Sequence, residues 1–173
     1  IDRLCCKLDL QPGDHLLEIG TGWGAFAIHA AGHYGCRVTT TTISQEQFNL
    51  ASERVRAAGL EDRISVLLKD YRDLDGQYDK LVSIEMIEAV GHDFYDTYFG
   101  KCATLLKDDG LMLLQAITIA DQRYDAARKS VDFIQRYIFP GSCIPSVTAM
   151  NASITRASDL KLAHLEDIGP HYA

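Results

Sequence analysis

Short apolar runs alternate with longer amphipathic segments along residues 15–119. Helical spacing of apolar positions predicts helices over Ala25–Tyr34, from Ser44 to Ala58, and over Asp93–Leu106. The alternation of strand and helix predicts an α/β fold with a doubly wound, mostly parallel sheet. The predicted strands are His15–Gly20, Cys36–Thr42, Arg63–Lys69, Tyr78–Ile84 and Gly110–Ile119.

Beyond residue 120 the regular alternation of predicted strands and helices ends. We expect helices over Asp125–Tyr137 and Ser146–Arg156, joined by a loop at Phe139–Pro145. The segment Leu160–Ile168 alternates apolar and polar residues, which predicts a further strand. With 173 residues and 47% hydrophobic content, the chain is long enough for one well-buried domain, which we assign to residues 1–173. Because it opens at Ile1 without a methionine, we expect a fragment.

Charge and cysteine content narrow the functional classes. The formal net charge of −7 argues against a general nucleic-acid binder, which needs a basic face. The five cysteines are odd in number and lack CxxC spacing, which favours free thiols in a reducing cytoplasm. No His/Cys cluster has the spacing of metal ligands, so no metal is predicted. Cys5 and Cys6 are expected to be buried helix residues, and no signal peptide or run of roughly 20 apolar residues occurs.

Residues 18–24 read EIGTGWG, a strand that ends in glycines and leads into a helix. Such a junction presents backbone N–H groups and the positive end of a helix to a ligand. With Ala25 the loop formally matches the dinucleotide pattern G-x-G-x-x-G/A. The third glycine at two-residue spacing and an acid two residues before the first favour an S-adenosylmethionine loop of a methyltransferase. The candidate cofactor-binding residues here are Glu18, Gly20, Thr21, Gly22 and Gly24; a tight turn without a ligand is the alternative.

The second strand lacks the acid that usually binds a ribose. A carboxylate is expected at its end, but Thr39–Thr42 stand there. Ser44 and Gln47 follow in a capping-box arrangement at the start of the next helix. A different group must therefore reach the ribose hydroxyls.

Five blocks together resemble one enzyme family. They read EIGTGWG, VTTTTISQEQ, LLKDYRDL, SIEMIEAVG with YDTYF, and YIFPGSCIPS. They are similar to the cyclopropane-fatty-acyl-phospholipid synthases, a family that includes the mycolic-acid cyclopropane synthases and related S-adenosylmethionine-dependent lipid methyltransferases. The resemblance covers nearly the whole chain and implies a Rossmann-like class I methyltransferase fold, in a domain truncated at both ends.

The resemblance also implies roles for the cofactor residues. Thr42, Ile43, Ser44 and Gln47 would handle the ribose in place of an acid, although helix capping alone also explains Ser44 and Gln47. Asp70 would accept from the adenine amino group and Tyr71 would cover the ring. An ordinary turn at the end of the third strand is the alternative for this pair.

The implied reaction adds a carbon from S-adenosylmethionine to a cis double bond of a lipid acyl chain. In the family a bicarbonate ion acts as the base, and the matching catalytic residues here are Glu88, Gln115 and Ile117. Two departures leave bicarbonate open: Gln115 and Ala89 stand where members commonly carry His. Ring closure and methyl branching are therefore both open outcomes. Glu85 is a second acidic candidate, and His92 is the histidine nearest the site.

The implied partner is an unsaturated phospholipid, reached by peripheral contact with the inner face of the membrane from the cytoplasm. Homodimer formation is left open, and no nucleic acid is expected. An apolar wall for the acyl chain is expected from Phe133, Tyr137, Ile138 and Phe139. Three alternatives remain: an S-adenosylmethionine-dependent methyltransferase that acts on another small or lipid substrate, a nicotinamide-dependent oxidoreductase, which the missing acid at Thr39–Thr42 disfavours, and a cofactor-binding module without catalysis.

Overall fold

One parallel sheet organises the chain. The computed structural model describes residues 1–130, 136–137 and 140–172. All of the pairings join parallel strands in the order β3-β2-β1-β4-β5, which confirms the predicted doubly wound α/β fold. The strands are β1 (His15–Ile19), β2 (Arg37–Thr42), β3 (Ile64–Leu68), β4 (Tyr78–Ile84) and β5 (Leu106–Gln115).

The strand order reverses at the boundary between β1 and β4. From β1 the chain moves outward to β2 and β3, and then returns to the other side of β1 to form β4 and β5. Connections on the two sides therefore diverge at the carboxyl ends of β1 and β4 and leave a crevice there. In open α/β sheets, ligands bind at this switch point.

Helices cover both faces of the sheet. Ser44 is the N-cap of α3 as predicted, since its hydroxyl accepts from the backbone N–H of Gln47. The reciprocal bond of a capping box is replaced, because the Ser44 N–H donates to the Thr42 hydroxyl and Gln47 Oε1 accepts from that same hydroxyl. After α2 the chain continues as a π-helical turn over Ala30–Tyr34, and a 3₁₀ turn at His92–Phe94 delays the start of α4 to Tyr95. The helices are α1 (Asp2–Lys7), α2 (Ala25–His29), α3 (Gln45–Ala57), α4 (Tyr95–Leu105), α5 (Asp121–Ala127) and α6 (Val147–Ala157).

The prediction for β5 was wrong at both ends. The strand begins at Leu106 instead of Gly110, and an irregularity opposite Tyr78 and Lys80 accommodates the polar residues 107–109. It ends at Gln115, although the apolar run continues. The N–H of Ile117 donates to the Glu88 carboxylate and that of Ile119 to the Pro145 carbonyl, so neither group pairs with a strand.

The helix predicted over Asp125–Tyr137 begins earlier, at Asp121, and α5 ends at Ala127. The Asp121 carboxylate accepts from the N–H of Thr148, which ties the start of α5 to the start of α6. Part of the predicted range lies outside the described residues. So do Phe133, Ile138 and Phe139 of the expected acyl wall, whereas Tyr137 is exposed.

The predicted strand Leu160–Ile168 is wrong, because this segment forms no ladder with the sheet. Arg3 and Lys7 of α1 form ion pairs with Glu166. The apolar positions Leu162 and Leu165 are exposed. The apolar positions of this alternating segment are therefore not buried against the sheet. The segment instead contacts α1 through side-chain ion pairs.

Two apolar clusters fill the spaces between the sheet and its helices. One packs Tyr98 and Phe99 of α4 against the sheet, and the other packs Phe26 of α2 and Val38 of β2 on the opposite side. Burial of apolar area at about 25 cal/mol per Å² is the main stabilising contribution of such clusters. All five cysteines are free thiols; Cys5 is buried as predicted, but Cys6 is exposed.

Gly110 tests the irregular start of β5. A methyl group there would lie 2.9 Å from the Lys107 carbonyl oxygen and 3.2 Å from that of Asp79. We expect Gly110→Ala to lower the free energy of unfolding by about 1–3 kcal/mol, because backbone must move to relieve the overlap. Urea denaturation measures this change. Gly13→Ala is the matched control, since no atom lies within 4 Å of its added methyl; equal stability of the two variants would contradict the packing described.

Candidate functional site

A cleft of about 410 Å³ lies at the carboxyl edge of the sheet, at the switch point. Four segments line it: the glycine loop after β1, the end of β2 with the start of α3, the turn after β3, and the segment after β4. Six of the predicted cofactor residues line this cleft: Gly20, Thr42, Ile43, Gln47, Asp70 and Tyr71. The remaining predicted ones lie in β1, in the glycine loop and at the start of α3, which support the cleft.

The glycine loop needs its glycines for backbone shape and for close packing. Gly20, Gly22 and Gly24 all have positive φ, at 103°, 50° and 82°. A methyl group at Gly20 would lie 3.3 Å from Met86 Cβ, and one at Gly24 would lie 3.2 Å from Ala51 Cβ. A side chain at either position would therefore be strained and crowded.

Glu18 lies beneath the loop and does not line the cleft. The Thr40 hydroxyl donates to Glu18 Oε2 at 2.6 Å, and Thr40 Oγ1 lies 2.8 Å from Thr21 Oγ1. All three residues are buried. Burial raises the pKa of Glu18 to about 8, with the Thr40 hydrogen bond opposing the shift. Glu18 and Thr21 thus support the loop from below.

Thr42, Ser44 and Gln47 form one hydrogen-bonded unit at the end of β2. The Thr42 hydroxyl donates to Gln47 Oε1 at 2.8 Å and accepts from the Ser44 N–H at 3.1 Å. Because the carbonyl oxygen of Gln47 is engaged in this way, its amide nitrogen is the end that can donate to a ligand. Ser44 is therefore a cap that holds the unit together, and Ile43 beside it is exposed.

Asp70 has a partner that the sequence analysis missed. Arg72 donates to its carboxylate from the backbone N–H and Nε at 2.9 Å each and from Nη2 at 2.7 Å. This pairing lowers the pKa of Asp70 and holds it as an acceptor. A carboxylate can accept about four hydrogen bonds, so capacity for a ligand donor remains. An arginine two residues after the acid was the available signal.

Tyr71 packs edge-on against Tyr98, with ring centroids 5.4 Å apart. It is half-buried, and burial raises its pKa. The ring is thus held at the wall of the cleft as a neutral aromatic surface.

The two acids after β4 pair separately with the end of β5. Glu88 Oε1 accepts from the Ile117 N–H at 2.6 Å, and Gln115 Nε2 donates to Glu85 Oε1 at 2.9 Å. Burial raises the pKa of Glu88, and its buried Oε2 has no hydrogen-bond partner among the described residues. The predicted residues Glu88, Gln115 and Ile117 are therefore close together, but Ile117 contributes its backbone N–H while its side chain is exposed.

His92 lines a second hollow, of about 340 Å³, which shares Val90 and Phe94 with the cleft at the switch point. Its Nδ1 lies 2.5 Å from the hydroxyl of Tyr124, a buried residue of α5. Burial, as the largest cause, raises the pKa of Tyr124 to about 12, so this phenol stays neutral. Tyr124 was missed because nothing in its local sequence marks the contact.

Within the described part of the chain, no group of three or more His, Cys, Asp or Glu side chains is arranged to hold a metal ion. Across the same residues, no helix is both long and apolar enough to cross a bilayer.

The sheet order, the glycine loop and the cleft at the switch point define a Rossmann-like fold of the methyltransferase type. Residues 1–173 match the family model described as mycolic acid cyclopropane synthetase, and the chain belongs to that family.

Known relatives include lipid-modifying enzymes. The chain is 44% identical over 173 residues to tuberculostearic acid methyltransferase of Mycobacterium tuberculosis, covering 100% of this chain and 40% of the relative. It is 45% identical over 148 residues to cyclopropane-fatty-acyl-phospholipid synthase of Escherichia coli K12, covering 85% of this chain and 36% of the relative. The chain thus spans less than half the length of these relatives.

A solved structure has a closely similar fold. Mycolic acid cyclopropane synthase CmaA1, complexed with SAH and CTAB, superposes with a TM-score of 0.88 at 32% identity. The match covers 99% of this chain and 63% of that structure.

The buried Glu18 generates a prediction about pH. Its pKa rises from the usual 4.5 to about 8 on folding, so the native state binds its proton more tightly than the unfolded state does. This contribution to stability is present below pH 4.5 and is lost as the pH rises toward 8. Glu18→Gln keeps the neutral form, and we expect it to be more stable than the wild type at pH 8 by on the order of 1–3 kcal/mol, with no difference near pH 4.

Urea denaturation across this pH range measures the effect. Glu53→Gln on the exposed face of α3 removes the same charge without burial and serves as the control. A Glu18→Gln variant that is less stable than the wild type at pH 8 would contradict the assignment of Glu18 as a neutral, buried acid.

Proposed function

We propose that the cleft binds S-adenosylmethionine and that the complete protein transfers a methyl(ene) carbon to the cis double bond of an unsaturated phospholipid acyl chain. The carrying observation is that six residues expected from three separate sequence blocks line one cleft at the switch point. The relatives named for lipid methylation and cyclopropane synthesis, and the related structure complexed with SAH, support the same conclusion.

The cleft fits the cofactor in size and in chemistry. Its volume of about 410 Å³ is within the range of small-molecule sites. The Gln47 amide and the Thr42 hydroxyl are proposed to bind the ribose, which explains how the site functions without an acid at the end of β2. Asp70 is proposed to accept from the adenine amino group, with Tyr71 against the ring. Gly20 and Gly22 let the amino-acid portion approach the backbone.

Bound S-adenosylmethionine would supply an electrophilic methyl group on a sulfonium centre. Attack by an alkene leaves a carbocation, so the site must hold negative charge nearby, where a low dielectric strengthens its effect. Glu88 and Glu85 provide carboxylates at this edge of the sheet. They are proposed to stabilise the cation.

The bicarbonate expected from the resemblance fits this arrangement poorly. The N–H of Ile117 already donates to Glu88, and the Gln115 amide already donates to Glu85. The Ile117 N–H and at least one of the two N–H groups of the Gln115 amide are thus engaged within the protein. We assign no step to bicarbonate, and ring closure and methyl branching remain the two possible products.

Peripheral contact with the membrane, on its cytoplasmic face, is part of the proposal. Ile43 and Phe94 line the cleft and yet are 77% and 53% exposed, and Trp23 in the glycine loop is 52% exposed. Exposed apolar side chains around a cleft mouth are typical of lipid-contacting rims. They would let an acyl chain pass from a bilayer to the site.

Cofactor binding is tested by isothermal titration calorimetry with S-adenosylmethionine and, separately, with NAD. We expect binding of the first only. Gln47→Ala should weaken the affinity about 10-fold, because a hydrogen bond to the ribose is lost. Gln45→Ala, two residues earlier in α3 and exposed, should leave the affinity unchanged. Equal affinities for both variants would exclude the proposed ribose contact.

The reaction is tested with the complete gene product, vesicles of cis-monounsaturated phospholipid, and S-adenosylmethionine labelled in its methyl group. We expect label in the acyl chain, and fragmentation of the product distinguishes a ring from a branch. A protein that binds the cofactor but leaves the acyl chain unlabelled would instead be a binding module, contrary to the proposed activity.

A further inference from the structure

We propose that the Glu85 carboxylate is a second reactive acid of this site and accepts the proton released when the cation is quenched. The inference rests on the proposed function, since it concerns the same reaction. The sequence favoured Glu88 over Glu85 as the reactive acid, but the backbone conformation and the contacts of Glu85 favour a role for Glu85 as well.

The backbone of Glu85 has an unusual conformation. Its φ is 49°, in the left-handed region that residues with a Cβ rarely adopt. Among the described residues, Asp9, also at φ 49°, is the only other non-glycine residue with positive φ. A glycine would adopt this conformation without strain. A strained residue with a charged side chain beside a ligand cleft is a candidate for function.

Gln115 fixes the Glu85 carboxylate in place. The N–H of Glu85 donates to the Gln115 carbonyl at 2.8 Å, and Gln115 Nε2 donates to Glu85 Oε1 at 2.9 Å. A glutamine amide cannot take up a proton at neutral pH, but it can orient a carboxylate. The pair therefore supplies a base in the form of Glu85, positioned by Gln115.

Glu85 is not among the residues that line the cofactor cleft, but the next residue in the chain is. Met86 lines the cleft, and its Cβ lies 3.3 Å from the position of a methyl group on Gly20. Glu85 thus lies one residue from the wall that the glycine loop contacts. An acyl double bond that reaches the methyl donor would pass this edge of the sheet.

The two acids differ in a way that divides their roles. Glu88 is half-buried, with Oε1 held by the Ile117 N–H, and its pKa is raised mainly by burial and to a lesser degree by the charge of Glu85. Glu85 is exposed, so a proton that it accepts can pass to water. Glu88 therefore suits stabilisation of charge in a dry environment, whereas Glu85 suits proton removal and recovery.

The step balances without an oxidant or a reductant. The π electrons of the alkene form a bond to the methyl carbon, and the C–S bond breaks with its pair going to sulfur. For ring closure, a C–H bond of the added methyl group then breaks and its pair forms a bond to the cationic carbon. For the branched product, a C–H bond on a carbon adjacent to the cation breaks and its pair forms a new double bond. The proton goes to a Glu85 oxygen and afterwards to water.

The test uses the complete gene product with cis-unsaturated phospholipid vesicles and methyl-labelled S-adenosylmethionine. We expect Glu85→Gln and Glu85→Gly to lower kcat by about 100-fold or more, the usual contribution of a general base, without a comparable change in KM. Glu85→Asp should retain more activity than either, because it keeps the carboxylate. Asp9→Gly, which relieves the same backbone conformation far along the chain from the site, should leave kcat unchanged.

Thermal denaturation and calorimetry separate chemistry from structure. Glu85→Gly should keep its affinity for the cofactor and a Tm within about 3 °C of the wild type or above it, because it removes strain. Loss of cofactor binding together with activity would assign Glu85 to cleft structure and overturn the inference. Full activity in Glu85→Gln would also overturn it while leaving the proposed function intact. An inactive wild type would count against the proposed function itself.

Discussion

The carbonyl oxygen of Thr41, at the end of β2, accepts from the backbone N–H groups of both Gly20 and Thr21, at 3.1 and 3.0 Å. These bonds tie the glycine loop to the neighbouring strand just where the parallel ladder between β1 and β2 ends. Below them, the buried Thr40 hydroxyl links Glu18 to Thr21. The position of the loop, and with it one wall of the cleft, therefore depends on the register of two parallel strands. A slip by one residue would turn Thr40 to the other face of the sheet.

The same edge of the sheet concentrates carboxyl groups whose surroundings cost stability. Glu18 is fully enclosed, Glu88 has a buried oxygen without a partner among the described residues, and Glu85 adopts a left-handed backbone. Each feature lowers stability where it occurs, and the packed clusters on both faces of the sheet offset it. Asp70 differs, because Arg72 compensates its charge directly. The two acids after β4, Glu85 and Glu88, are those nearest the proposed chemistry, as expected for a site that is proposed to stabilise a cation.

The sheet was predictable because its strands are short apolar or β-branched runs that alternate with helical segments. The failures have a common origin in long-range polar contacts. Alternation in Leu160–Ile168 resembles a strand, but ion pairs from α1 to Glu166 hold it outside the sheet. The apolar run after Gln115 looks like strand, but the Glu88 carboxylate captures the N–H of Ile117. Local pattern carries no information on which distant polar group will compete for a backbone N–H.

The candidate site likewise contains residues that the sequence identifies and residues that only the folded structure reveals. Gly20, Thr42, Gln47 and Asp70 were identified from sequence because motifs place them at fixed positions after strands. Arg72, Thr40 and Tyr124 were not, because their roles arise from contacts with Asp70, Glu18 and His92 that only the folded chain creates. The weighting of Glu88 over Glu85 likewise could not take account of a backbone angle. Sequence motifs therefore locate a site, whereas the three-dimensional contacts determine the role of each of its residues.

The central claim is that the glycine loop and the end of β2 jointly form the binding site for a sulfonium cofactor. The most direct measurement is a crystal structure of the protein grown with S-adenosylhomocysteine. The account predicts ligand density between the backbone of Gly20 and Gly22 and the side chain of Gln47, with the adenine near Asp70 and Tyr71. Clear density for the ligand elsewhere, or a cleft filled by the protein's own side chains at saturating ligand, would contradict it.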